Sequence, residues 1–461
     1  MRKHIFFIGI GGYGLSAIAR FMHESGYAVS GSDRHLSPLA YELRNLGINV
    51  YEGHAADHIV GIDVVVKSSA VPDDNPEILA ARKAGIPVLK RSEFLGEVME
   101  KNIGIAVAGT HGKTTTTAMI SWVLAGLDLD PSYIIGGVSK NLGINAHAGK
   151  GKFFVIEADE YDRMFLGLKP FVEVITNIEH DHPDCFPSET DYFQAFLAFT
   201  KKVHPQGFIA ICGDEDGNQN LIKNCADCRF ITYGINEDND YQAIDLKINL
   251  EGCYNFEIVR HESNELKNLG TVELSIPGIH NVKNALAAIV ITDQYKLDLL
   301  RASRLLHQFN GTGRRFDLHG TYNDITLVDD YAHHPTEIKA TLQAAKDKFT
   351  KQNLWVVWQP HTFSRTITLL DQFAHSFDQA DHLIISEIFA SREANGEISG
   401  SVIAKMIDHP DVKFIASIQE ITTYLTIQLK PNDVLIVLSA GDADQINQNL
   451  SIALFRKDGK E

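Results

Sequence analysis

Residues 109–117 read Gly109-Thr110-His111-Gly112-Lys113-Thr114-Thr115-Thr116-Thr117. Glycines, a lysine and a run of hydroxyls at this spacing suit the binding of a nucleoside triphosphate. Loop amides and a helix N-terminus face the phosphates. The Lys113 ammonium reaches the β- and γ-phosphates, and the Thr114 hydroxyl can ligate Mg²⁺. A full phosphate loop carries glycine where Val107 stands, and Gly109 supplies a shorter G-x-x-G-K-T form. The alternative is a tight strand–helix turn with an incidental lysine.

Two further stretches carry carboxylates and imidazoles. They are Glu157-Ala158-Asp159-Glu160 and Asn177-Ile178-Glu179-His180-Asp181-His182. Each follows a short apolar run, and in a parallel α/β sheet the carboxyl ends of strands face the ligand crevice. Carboxylate and phosphate oxygens suit Mg²⁺, a hard cation; histidine is a less usual ligand for it. Near the start, Gly9, Gly11 and Gly14 fit G-x-G-x-x-G, with Asp33 roughly twenty residues further on, as in dinucleotide-binding proteins. These residues alone do not separate an NAD-dependent enzyme from one holding another diphosphate, such as that of a nucleotide sugar.

The elements that must position these groups are legible in outline. Ile103–Ala108 reads as the strand before the phosphate loop, and Ala118–Leu124 as the helix after it. Ile5–Ile10, Ala28–Ser32 and Val64–Ser68 read as strands of a first α/β unit, with a helix at Pro76–Ala84. Phe153–Ile156 and Val172–Ile175 extend the central sheet. Residues 243–250 and 272–276 alternate in polarity and read as antiparallel strands with one wet face. A helix opens near Asn281 and Asn284, with capping as the plain reading of Asn281 and recognition of a base or ribose as the other. Gly311-Thr312-Gly313-Arg314-Arg315 reads as a hinge. Strands at Ile325–Val328, Leu354–Trp358, Leu383–Ser386 and Val434–Leu438 then build a third α/β unit, again with polar residues at their ends.

At 461 residues the chain exceeds a single core. A net charge of −17 argues against nucleic acid or an anionic membrane as a partner. No apolar run reaches the ~18 residues that span a bilayer, and the N-terminus lacks a signal-peptide pattern. Five cysteines, odd in number and scattered, suggest a reducing compartment. Cys225-Ala226-Asp227-Cys228 has metal spacing but no second pair beside it, which favours a structural or chance pair.

GIGGYG, GTHGKTTTT, EADE, NIEHDH, HNVKNALAA, GTGRRFD, DDYAHHPTE, QPHTFSRT and SAGD occur in one order along the whole chain. In that order the chain resembles the Mur ligase family. The resemblance implies an α/β protein of three domains. They are an N-terminal Rossmann-like UDP-sugar domain at residues 1–101, a central P-loop-type ATPase with a parallel sheet at 102–312, and a C-terminal Rossmann-like amino-acid domain at 313–461. It implies ATP-dependent joining of UDP-N-acetylmuramate to L-alanine through an acyl phosphate, with Mg²⁺ or Mn²⁺. It also implies a cytoplasmic monomer or homodimer that needs neither membrane nor nucleic acid. Ligation of a ready-made tripeptide to the same sugar, or an NAD-dependent oxidation, are the rival activities.

By the same resemblance, Gly9, Gly11, Gly12, Gly14, Asp33, Ser68 and Ser69 face the UDP-sugar. Residues 109–115 hold ATP with Asn281, Asn284, Arg315 and Asp330. Thr114, Glu157 and His182 ligate the metal, and Tyr331, His333, His361 and Arg365 receive the amino acid. Lys113, Glu157, His182, Arg315 and His333 carry the chemistry, with His333 taking the amine's proton near pH 7. Thr362 stands where many members have arginine, which leaves the amino-acid carboxylate to Arg365 alone. Tyr161 and His180 also depart from the commoner residues, and His180 clouds which imidazole meets metal.

Overall fold

The computed structural model describes residues 3–457 apart from 263–264, 392, 395 and 397. The chain divides into two compact units. One holds residues up to Glu179 with Phe193–Gln242 and Leu286–Leu305; the other holds His180–Tyr192, Ala243–Ala285 and Leu306 onward.

The first unit contains two sheets. In the N-terminal sheet five parallel strands lie in the order Asn49–Glu52, Ala28–Asp33, His4–Ile8, Val64–Lys67, Val88–Lys90. Strand order reverses at His4–Ile8, so the glycine loop that follows it opens into the crevice at a topological switch point. The central sheet runs residues 241–242, Phe230–Gly234, Phe208–Cys212, Val172–Ile175, Ile103–Ala108, Phe153–Glu157, Ser132–Ile134, all parallel, with Ala146–His147 antiparallel at its edge. Ile105 to Ala108 are buried on both faces, which is why this strand reads as an unbroken apolar run. Three strands in a row, Ile103–Ala108, Phe153–Glu157 and Val172–Ile175, end at the same side, and each carries a motif singled out above.

The second unit has a long antiparallel ribbon, Cys253–Glu262 against Glu265–Pro277. The first of these strands is not evident from the sequence pattern, whereas the alternation at 272–276 correctly marks the second. Its main sheet has six strands in the order Asp317–Tyr322, Ile325–Asp330, Asp433–Leu438, Asn353–Trp358, His382–Ile385, Val412–Phe414. The first pair is antiparallel and the rest are parallel. Successive residues of these strands feed two cores, since side chains alternate across a sheet. Val356, Trp358, Ile436 and Leu438 enter one; Trp355, Val357, Leu435 and Val437 enter the other. Burial on both faces explains the continuous runs LWVVW and VLIVL.

Cys225 and Cys228 are joined as a disulfide, a local cross-link that departs from the expectation of reduced thiols, while Cys185, Cys212 and Cys253 stand as thiols. Among the described residues no helix is long and apolar enough to cross a membrane.

Candidate active site

The phosphate loop is built by geometry that only glycine adopts without strain. Gly112 caps the helix Lys113–Gly126 with φ +80°, which turns the chain so that the first helical amides face the loop. The loop is pinned from the neighbouring strand end. His111 N donates to Asn177 Oδ1 at 2.8 Å, Thr110 Oγ1 donates to Glu179 O at 2.8 Å, and Thr176 Oγ1 donates to His111 O at 2.5 Å. The His111 ring lies 3.1 Å from the Glu179 carboxylate.

Lys113 Nζ donates to Gly109 O at 2.6 Å and Thr110 O at 3.0 Å, and it pairs with Glu160 at 2.9 Å. Burial pushes this lysine down, but Glu160, then Glu157 and Asp159, raise it, so it stays charged. Glu160, 1% exposed, was not assigned a role from the sequence, although it closes the EADE motif. The Thr114 hydroxyl donates to Glu157 Oε1 at 3.1 Å, and Gly136 N donates to Glu157 Oε2 at 2.7 Å. A Cβ at Gly136 would meet that carboxylate at 2.4 Å, so the glycine leaves the Glu157 oxygens clear. A threonine hydroxyl against a carboxylate is a donor set for a hard divalent cation.

A cavity of about 260 Å³ is lined by residues of the helices Tyr13–Glu24 and Arg91–Met99 and of the central sheet and its strand ends, among them Gly14, Arg91, Ile135, Gly136, Glu157 and Asp159. The Arg91 guanidinium lies so close to Gly14 that a Cβ there would meet it at 1.7 Å, and it donates to Asp159 Oδ2 at 3.2 Å. Nothing in the sequence marked Arg91. The glycine loop itself is held by Asp33, whose Oδ2 accepts from Gly11 N at 2.8 Å. The aspartate therefore orders the loop through this oxygen. Gly12 caps the following helix without a side-chain bond. Ser68 packs its Cβ against Gly9, and Ser69 Oγ contacts Met164 Sδ at 3.7 Å.

In the second unit, Arg365 is the centre of a buried polar cluster. Its Nε and Nη2 donate to Asp181 Oδ1 and Oδ2 at 2.7 and 3.2 Å. Nη1 lies 3.0 Å from His361 Nδ1, and Nη2 lies 3.4 Å from His182 Nδ1. Burial alone would raise the Asp181 carboxyl, but Arg365, with His182, His334 and His333 beyond it, holds it well below the usual carboxylate range. The His361 ring stacks on Phe389 at 5.7 Å and meets the His333 ring at 5.8 Å.

His333 Nδ1 bonds to Tyr331 O at 2.8 Å. Burial pushes His333 well below the usual imidazole range, with Glu337 opposing. This corrects the expectation of an imidazole titrating near pH 7: the ring is neutral there and a weaker base. Asp330 accepts from Phe316 N and Ala332 N, both at 2.7 Å, and burial raises its carboxyl to about 6. It thus ties the Gly311–Arg315 stretch to its strand end. Arg315 lies over the Tyr331 ring at 5.0 Å and 3.5 Å from Glu337. Asn284 Nδ2 donates to Asn281 Oδ1 at 3.0 Å and Asn281 Nδ2 donates to Pro277 O at 2.7 Å, so both amides serve the helix start. His180 bonds to Phe186 O within its own loop at 2.8 Å, while His182 turns towards Arg365. Thr114 and Glu157 thus share one unit, and His182 belongs to the other.

The chain is similar to known proteins over nearly its full length. Three family descriptions match: Mur ligase family, catalytic domain, over residues 4–102; Mur ligase middle domain over 107–292; and Mur ligase, glutamate ligase domain, over 314–441. A UDP-N-acetylmuramate–L-alanine ligase of Alkaliphilus metalliredigens is 41% identical over 452 residues, covering 97% of each chain. The crystal structure of UDP-N-acetylmuramate-alanine ligase from Thermotoga maritima superposes with a TM-score of 0.81 at 29% identity, covering 99% of this chain and 100% of that one. A murein peptide ligase from Psychrobacter arcticus gives 0.70 at 27% identity, covering 98% and 99%.

Proposed function

The chain belongs to the Mur ligase family, and from that premise we propose that it joins the lactyl carboxylate of UDP-N-acetylmuramate to the amine of L-alanine at the expense of ATP. The observation that carries this reading is the full-length similarity to alanine ligases at about 40% identity; the Lys113 ammonium on the Gly109 carbonyl and the Thr114 hydroxyl on Glu157 are consistent with it. The higher superposition score of the alanine ligase over the peptide ligase favours alanine over a preformed tripeptide. No feature beyond the glycine loop favours an oxidoreductase.

A carboxylate is a poor acyl donor because its oxygen leaves badly. Its attack on the γ-phosphorus forms a carboxyl–phosphate bond, and the bond to the β-phosphate oxygen breaks to release ADP. The neutral amine of alanine then attacks the acyl carbon, and phosphate leaves from the tetrahedral adduct as the nitrogen loses a proton. The phosphoryl step needs mainly positioning and charge neutralisation. Lys113, kept charged by Glu160, exchanges its carbonyl partners for phosphate oxygens. Thr114 and Glu157 would hold Mg²⁺ or Mn²⁺, which supplies charge neutralisation at the phosphates. His182 enters as a metal ligand on the family motif alone. Asn281, Asn284, Arg315 and Asp330 carry nucleotide-side roles by the same motif correspondence. Gly9 to Gly14, with Ser68 and Ser69, form the UDP-sugar loop, and Tyr331, His333, His361 and Arg365 the amino-acid subsite. His333, neutral at pH 7, serves as a hydrogen-bond acceptor for the attacking amine. The cytoplasm, where these nucleotides are made, is the compartment this reading implies.

A phosphate-release assay with UDP-N-acetylmuramate, ATP·Mg²⁺ and a panel of amino acids tests it. Turnover should need all three substrates, with L-alanine best. Turnover with the tripeptide and none with alanine would replace the alanine reading.

A further inference from the structure

A guanidinium has two edges that can bind a carboxylate, and Arg365 uses them unequally. The Nε–Nη2 edge is committed to Asp181 in a two-pronged pair in which both residues are only 3% exposed. The Nη1–Nη2 edge meets imidazole nitrogens, His361 Nδ1 at 3.0 Å and His182 Nδ1 at 3.4 Å, with the His361 carbonyl 3.5 Å from Nη1. A substrate carboxylate can take the place of these ring nitrogens at little loss, since the guanidinium gains a charged acceptor for each one given up. It cannot replace Asp181 without leaving a buried anion uncompensated, which is strongly unfavourable. Arg365 stands on a helix of Phe363–Thr368, and its long side chain has several rotatable bonds. The pair with Asp181, 184 residues away in sequence, removes that freedom before substrate arrives.

We propose that Asp181 is a positioning residue of the amino-acid subsite: it locks one edge of Arg365 so that the other edge reads the α-carboxylate of the incoming amino acid. This rests on the ligase reading above. Two consequences separate it from a merely structural ion pair. First, Asp181 governs discrimination between a carboxylate and its neutral amide. Second, it does so without affecting the UDP-sugar. Asp181 also does not compete with substrate, because the two carboxylates use different edges.

The experiment compares L-alanine with L-alaninamide as acceptors in the wild-type chain, Asp181→Asn and Asp181→Glu. Asparagine keeps one acceptor oxygen and loses the charge. Glutamate keeps the charge and displaces the carboxylate by one methylene. The wild type should prefer alanine strongly in kcat/KM. In Asp181→Asn that preference should fall at least tenfold through KM for alanine, with KM for UDP-N-acetylmuramate within twofold; Asp181→Glu should lie between. Equal loss with both acceptors, or a lower KM for alanine in Asp181→Asn, overturns the inference. So does full discrimination in Asp181→Glu, which answers the question if the asparagine variant does not fold. A wild type that releases phosphate equally with both acceptors overturns it while leaving the ligase reading standing. A wild type inactive with either removes the ligase reading itself.

Discussion

Glu173 offers a quantitative test of how the central sheet is built. It lies in the strand Val172–Ile175, between Ile105–Ala108 and Phe208–Cys212, and its side chain is 0% exposed. Its one hydrogen bond is from Thr200 Oγ1 at 3.5 Å, and Oε2 has no partner among the described residues. Burial raises this carboxyl from 4.5 to about 8, with Thr200 opposing slightly. At pH 7 it is therefore about nine-tenths protonated. Because the folded value lies above the unfolded one, the carboxyl's contribution is intact below pH 4.5 and is lost as pH rises through about 8. At ~1.4 kcal/mol per unit, stability falls by roughly 3 to 4 kcal/mol between pH 5 and pH 8 from this group alone. Glu173→Gln keeps the shape and removes the titration. Urea unfolding of both proteins, followed by tryptophan fluorescence at intervals from pH 5 to pH 9, isolates the effect as a difference between two curves. The glutamine variant should gain on the wild type by roughly 4 kcal/mol over that range, whatever their offset at pH 5. Curves that stay parallel would falsify the claim that Glu173 is protonated in the folded sheet.

Other outcomes follow from the site. Lys113→Met should lower kcat by a factor on the order of 10² to 10³ while calorimetric affinity for the UDP-sugar stays unchanged, since the lysine ammonium bonds to phosphate-loop carbonyls and Glu160. Gly14→Ala puts a Cβ 1.7 Å from the mobile end of Arg91, so it should weaken UDP-N-acetylmuramate binding several-fold by calorimetry and leave the melting temperature nearly unchanged. The same titration with NADH should give no heat of binding to the wild type; NADH that competed with the UDP-sugar would reverse the assignment of the glycine loop.

Much of this protein is written locally. Strands buried on both faces need unbroken apolar runs, so IGIAVA, LWVVW and VLIVL announce themselves without a structure. The phosphate loop is equally local, because Gly112 must turn the chain and Lys113 and Thr114 must follow it immediately. The order of nine motifs then identifies the family from the chain alone. Position in sequence says nothing, however, about which charge neutralises which. Glu160 is one of four residues in EADE, and only folding shows that it is the partner of Lys113. Asp33 matches a ribose-reading pattern, yet its oxygen lies on the amide of Gly11. His180 and His182 are two residues apart and alike in type, but loop geometry turns one to Phe186 and the other to Arg365. Glu173 looks like any strand residue until both neighbouring strands and the helix at Thr200 shut it from water. Asp181 and Arg365 are separated by 184 residues, and no periodicity links them. Secondary structure and loop chemistry depend on neighbours in sequence. Desolvation and charge pairing depend on neighbours in space, which only the tertiary fold supplies.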